Sequence, residues 1–175
     1  PVLFEGQAST EFFRQLMLPQ LSATPPELEL PDFNGEVSRS IPTSRLGRRL
    51  LPEGWSVVDD VPGNPNAVGY YRYDHQGVPP KRVELVKNGV IRDLLMSRVP
   101  REGFSASTGH GRSFSTMRIE ALPGAVEVRP KKNRSTRKLR KRGLRLAKQT
   151  GLDYVLLVRR VDPLAQHEDF EIAFS

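Results

Sequence analysis

The sequence predicts an α+β fold: a largely antiparallel or mixed β-sheet with two main helices and a long proline-rich excursion. Three observations predict it. Two apolar runs, 83–86 and 90–95, flank Lys87-Asn88-Gly89. Asn-Gly is the pair a type I′ hairpin selects, because both central residues need φ > 0. Apolar residues recur at helical spacing near Phe12 and again near Leu146. Strand-like runs separate and follow these stretches, and the order helix, strands, helix, strands favours α+β.

The elements follow in order. Residues 1–4 are apolar and read as a strand end. Ser9 or Thr10 caps a first helix, with Glu11 favourable in its first turn. Phe12, Phe13, Leu16 and Met17 form its core stripe, and Pro19 ends it. Residues 21–54 are irregular, broken by Pro25, Pro26, Pro31, Pro42 and Pro52. A long excursion of this sort is often functional. Within it, residues 44–51 predict a short helical turn with Leu46, Leu50 and Leu51 inward. Residues 55–60 read as a strand, and 68–73 as another, where Tyr70, Tyr71 and Tyr73 supply β-propensity. Residues 74–77 form a turn, the hairpin follows, and 125–129 alternate as a strand that Pro130 stops. Ser135 caps the second helix, which runs to about Thr150 with Gly151 as its stop. Leu139, Leu146 and Ala147 mark its buried side, and Gly143 weakens it by roughly 1 kcal/mol. Residues 152–161 read as a central strand and 168–174 as the last one. There is no internal repeat.

The 175 residues suit a single domain, and 37% hydrophobic residues exclude global disorder. The chain begins at Pro1 and ends on a strand-like alternation, so residues 1–175 read as an excised domain of a longer protein. No apolar stretch approaches the ~20 residues needed to cross a bilayer. The absence of cysteine excludes disulfides, thiolate metal sites and cysteine nucleophiles within the chain, and it fits a cytoplasmic protein. Net charge is +7, yet eleven Lys/Arg and no acid lie between Arg129 and Lys148, leaving 16 basic and 20 acidic residues elsewhere. The basicity therefore belongs to one segment.

No complete catalytic constellation is visible. His75, His110 and His167 have no i, i+4 spacing, so no metal site is predicted. No serine sits in a Gly-x-Ser-x-Gly elbow. The hydroxyls around His110 (Ser105, Ser107, Thr108, Ser113, Ser115) read as satisfying loop backbone, and Asp59 and Asp60 as solvated turn carboxylates. The glycine-rich run 108–113 is a weak phosphate signal. Nucleic acid is the alternative partner, through Lys131, Lys132, Arg134, Arg137, Lys138, Lys141 and Arg145, whose charges would give salt-dependent binding.

Several motifs together resemble the C-terminal domain of the TldD/PmbA family, once labelled modulators of DNA gyrase and regarded as peptidases. They are the opening Pro1-Val2-Leu3-Phe4 with the Phe12/Phe13 helix, Val57-Val58-Asp59-Asp60 and Tyr73-Asp74-His75-Gln76-Gly77. The similarity is strongest in residues 86–95 and in Ser107-Thr108-Gly109-His110-Gly111-Arg112, and it covers roughly residues 1–120. The resemblance implies a cytoplasmic dimer that degrades peptides. In the catalytic type, the helix after the first strand carries His-Glu-x-x-x-His, with a cysteine further on, to hold zinc. Here that helix has no histidine. The resemblance therefore implies the PmbA-like subunit: no catalytic residue, no metal ligand, and zinc only in a catalytic partner. It would pair with a TldD/PmbA-like subunit as homo- or heterodimer and act on peptide or unfolded protein. Ser107, Thr108, Gly109, His110, Gly111 and Arg112 are the candidate substrate contacts. The edge of the 83–95 hairpin would accept an extended peptide by β-augmentation.

Overall fold

The computed structural model describes residues 1–24, 45–99, 103–113 and 119–161. Among these residues are two α-helices, short strands in parallel and antiparallel pairs, and a 3₁₀ turn at Leu18–Leu21, so the fold is α+β as the sequence implies. The chain divides into two compact units, residues 1–19 with 132–175 and residues 20–131.

In the first unit, strand β1 (Val2–Phe4) turns at Gly6, φ 56°, into helix α1 (Gln7–Leu16). The helix starts ahead of the predicted Ser9 cap because another device fixes its start. The Gln7 carboxamide donates to Val161 O at 2.8 Å and accepts the Val161 N–H at 2.9 Å. Ser9 Oγ instead donates to Gly6 O. The predicted core stripe is largely a packed flank. Met17 is buried, but Phe12 stacks on Phe4 with centroids 4.8 Å apart while staying partly exposed, and Leu16 is 57% exposed.

Helix α2 (Thr136–Gln149) has the caps read from the sequence. Ser135 Oγ accepts the Lys138 amide, and Gly151 stands at φ 73° just beyond the last turn. Its buried line runs through small residues. Ala147 is fully buried, and Gly143 lies against Val155. Leu139 and Leu146 are exposed, contrary to the expected face. Arg140 makes a bidentate pair with Glu5 at 2.9 and 3.0 Å. The central strand expected over 152–161 is only Leu156–Val158, the last strand among the described residues, which we label β8. It pairs in parallel with β1 in a two-stranded sheet. Aliphatic β-propensity marks a pleated, half-buried surface rather than the middle of a sheet.

The second unit is built on an antiparallel sheet in the order β4-β3-β2-β7. Its strands are β2 (Ser56–Asp59), β3 (Val83–Lys87), β4 (Val90–Ile91) and β7 (Val126–Arg129). A separate ribbon pairs β5 (Gly111–Arg112) with β6 (Glu120–Ala121). The hairpin is the one the Asn-Gly pair dictates. Asn88 and Gly89 have φ 52° and 79°, and Lys87 pairs with Val90 across a two-residue loop. Its second arm is shorter than expected. Beyond Ile91 the chain leaves the sheet, and Leu95 bridges Ser22, donating to Leu21 O at 2.8 Å and accepting from Ala23 N at 2.9 Å. Leu21, Val57, Val61, Leu85, Val86 and Leu95 are fully buried and form the core.

Two other expectations are corrected. Among the described residues of the expected helical turn 44–51, Arg45 alone has 3₁₀ geometry; the chain then turns into a strap along β4, with Arg49 bridging Val90, and Leu46 is 40% exposed rather than inward. Residues 68–73 form no strand. Tyr70 N–H closes a turn on Ala67 O, and Gly69 lies so close to Gly124 that no Cβ would fit. The proline-rich stretch 25–44 and the predicted strand 168–174 lie outside the described residues.

Candidate functional site

The loop 105–112 is held from three sides, all within the second unit. Its hydroxyls do what irregular backbone requires. Ser107 Oγ and Thr108 Oγ1 donate to Met96 O, the Met96 amide donates to Thr108 Oγ1, and the Gly109 amide donates to Ser107 Oγ. Gly109 stands at φ 74°, and a Cβ there would overlap the Pro79 carbonyl. Only glycine meets both demands. Tyr71 Oη donates to Gly109 O at 2.9 Å.

The Asp74-His75-Gln76-Gly77 turn supports the far end. Asp74 is buried. Its Oδ1 accepts the Gln76 and Val78 amides, and its Oδ2 accepts the Gly111 amide at 2.8 Å. His75 is exposed, and its Nδ1 accepts the Ser113 amide at 3.0 Å. The Arg112 guanidinium lies over the Tyr71 ring, 4.7 Å from its centroid.

At the centre is a pair that spacing could not show. Asp59 and His110 are both fully buried, and Nε2 of His110 faces Oδ2 of Asp59 at 3.6 Å. His110 Nδ1 is 2.9 Å from both Thr108 O and Thr108 Oγ1. Asp59 accepts the Gly124 amide on Oδ2 and the Ala125 amide on Oδ1, each at 2.8 Å. The expectation that Asp59 is a solvated turn residue is thus overturned: it ends a central strand, and its side chain turns inward to hold two amides. Burial pushes the Asp59 carboxyl up, but the facing imidazole and the two amides together hold it below the ordinary carboxylate value. Burial drives the Tyr71 hydroxyl well above its usual range, with Asp59 adding to the rise and Arg112 opposing it.

Among the predicted contact residues, Ser107, Thr108 and Arg112 are half-buried, and Gly109, His110 and Gly111 are buried. His110 faces the interior rather than a ligand. The hairpin edge is closed to β-augmentation. Residues 47–51 already bond it, through Gly47 N–H to Ile91 O, Ile91 N–H to Arg48 O and Leu50 N–H to Gly89 O. Of the basic residues, Arg134, Lys138, Lys141 and Arg145 line one groove of about 340 Å³ together with Arg142, Leu146 and Gln149. Lys131, Lys132 and Arg137 do not join it. Among the described residues, no group of three or more His, Asp or Glu is placed to hold a metal, and no helix is long and apolar enough to cross a membrane.

The sequence profile of the PmbA/TldA metallopeptidase C-terminal domain matches residues 1–155. Two curated relatives are a metalloprotease of Methanocaldococcus jannaschii, 35% identical over 75 residues, and a metalloprotease of Methanothermobacter thermautotrophicus, 39% identical over 59 residues. The matched stretches cover 42% and 34% of this chain but only 16% and 13% of those proteins. The crystal structure of TldE from Thermococcus kodakarensis has the same fold over 78% of this chain, with TM-score 0.54 and 20% identity. The chain spans 29% of that protein.

Proposed function

This chain belongs to the PmbA/TldA metallopeptidase C-terminal domain family, and on that premise we propose that it is the ligand-lacking half of a zinc-peptidase assembly. It would form part of a longer cytoplasmic protein, give the assembly structure, and line its peptide cleft. The carrying observation is the composition of α1. This helix follows the first strand, where the resemblance places His-Glu-x-x-x-His, and over Gln7–Leu16 it contains no histidine. Its single acid, Glu11, is engaged by Arg14 at 2.7 Å and by Gln15 at 3.0 Å. The residues present do not fit zinc, which needs three or four nitrogen, sulfur or carboxylate donors. The metal and its chemistry would come from a partner subunit. The fold shared with TldE favours a TldD/TldE-type pairing.

Within such an assembly the chain's own contribution is positional. Arg112, braced on Tyr71, offers a fixed cation to a substrate carboxylate. Gly109 and Gly111 let the loop pack closely on the Pro79 carbonyl and on the Gln76 and Asp74 side chains, which fixes where Arg112 stands. The full-length protein is expected to cleave no unstructured peptide alone, with or without added zinc. Activity is expected when it is mixed with a subunit bearing His-Glu-x-x-x-His. In that assembly Arg112→Glu should raise KM for acidic peptides and leave kcat unchanged. Chelator-sensitive cleavage by this protein alone would overturn the proposal.

A further inference from the structure

The outer face of α2 keeps its charge uncompensated, unlike the other basic surfaces of the chain. Arg14 pairs with Glu11, Arg82 with Asp60, Lys87 with Glu84 and Arg129 with Glu127. On α2 itself Arg140 pairs with Glu5. The groove residues Arg134, Lys138, Lys141, Arg142 and Arg145 make no such pair among the described residues, and no acid lines the groove. Helical periodicity puts the groove on one side of α2, opposite the packed line of Gly143 and Ala147.

This arrangement works against the helix. Lys138 and Lys141, Lys138 and Arg142, and Lys141 and Arg145 stand three or four residues apart, where like charges repel. The first turn holds no acid, although a helix N-terminus favours negative charge. A bound anion relieves both. Two further lining residues narrow the kind of anion. Leu146 is 44% exposed, and Gln149 shares the lining. A polypeptide can use all three chemistries: carboxylates on the cations, an aliphatic side chain on Leu146, and backbone groups on the Gln149 amide. No aromatic residue lines the groove to stack a base. Lys131, Lys132 and Arg137, which a phosphate backbone would attract equally, lie outside it.

We propose that the groove on α2 is a docking surface for an acidic polypeptide segment. From Lys138 to Arg145 the helix rises roughly 10 Å, the reach of about three residues of extended chain. Carboxylates on alternate residues of a short segment therefore meet successive turns of α2. The Arg142 and Arg145 guanidiniums suit bidentate bonding to them. The groove belongs to the first unit, and the inference stands whether or not the chain takes part in peptide cleavage.

The test is fluorescence anisotropy of the full-length protein. The probe is a short labelled peptide of alternating glutamate and alanine with one central leucine. Single-stranded and duplex oligonucleotides of equal charge are compared with it. Peptide binding is expected at about 0.05 M salt and should weaken toward about 0.5 M, because exposed charges are screened. Lys141→Glu with Arg145→Glu should weaken it by about tenfold or more. Arg137→Glu with Lys148→Glu alters net charge equally outside the groove and should weaken it by less than about threefold. Leu146→Ser should weaken peptide binding and leave oligonucleotide binding unchanged. All these side chains are exposed, and circular dichroism checks that the helix persists. Where charge reversal melts α2, Lys141→Gln with Arg145→Gln takes its place. Equal losses in the two charge-reversed pairs, tighter binding of the oligonucleotides, or no peptide binding at low salt overturns the inference.

Discussion

Gly89 is the position where the hairpin, its strap and the core converge, and replacing it separates two kinds of strain. Gly89→Ala puts a side chain at φ 79°, which for a non-glycine residue costs about 1–2 kcal/mol. The added Cβ also overlaps the Leu51 and Pro52 carbonyls, so the strap must move. Moving it endangers three backbone hydrogen bonds: Leu50 N–H to Gly89 O at 2.8 Å, Leu51 N–H to Gly89 O at 3.1 Å and Gly89 N–H to Trp55 O at 2.7 Å. At roughly 0.5–1.5 kcal/mol each, losing two or three adds about 1–4 kcal/mol. Gly77 is the internal control. Its φ is 75°, but a Cβ there meets nothing within 4 Å. Gly77→Ala should therefore cost only the conformational part, about 1–2 kcal/mol. Urea unfolding followed by circular dichroism reads the difference. With a slope near 2 kcal/mol per M, the Gly89→Ala midpoint should lie about 1 M below that of Gly77→Ala. Equal midpoints for the two variants would refute the argument that the strap is packed against the turn.

Asp59→Ala orphans the Gly124 and Ala125 amides in the interior, so it should cost about 2–6 kcal/mol by thermal or urea unfolding. Because the Asp59 carboxyl is held below its ordinary 3.8, it contributes stability above that pH and loses it as pH falls further; Asp59→Asn should flatten this acid limb in an acid titration of stability. Tyr71→Phe removes the bond to Gly109 O and keeps the ring under Arg112, so a loss of about 1 kcal/mol is expected with peptide affinity retained. Ser135→Ala removes the α2 cap and should lower stability by about 0.5–1 kcal/mol with a small drop in helical ellipticity.

What the sequence revealed of the fold was what a few neighbouring residues decide by themselves. The Asn88-Gly89 turn requires positive φ at both positions, and the structure has it. Ser135 and Gly151 bound α2 because helix ends need an acceptor side chain and a left-handed residue. Expectations failed where a distant residue decides. Tyr70, Tyr71 and Tyr73 carry strand propensity, yet the contact of Gly69 with Gly124 forces a turn, and Tyr71 is used to hold Gly109. Ser9 looks like a cap, but Gln7 reaches Val161, 154 residues away, and sets the start of α1. Phe12 and Leu16 repeat at core spacing, and yet burial also depends on what covers the face.

The candidate site divides along the same line. Its position was legible, because glycines and small hydroxyl residues in 105–112 signal a loop with unusual backbone. Its internal roles were not. Asp59 sits 51 residues before His110, and a dipeptide of two acids at a strand end gives no sign that one side chain turns inward while the other stays out. The telling feature appears only in three dimensions: a buried imidazole facing a buried carboxylate. The loop is therefore braced by more than its own hydroxyls and glycines: His110 packs against Asp59, Asp59 holds the turn at Gly124 and Ala125, and Arg112, two residues along, inherits its position from that bracing.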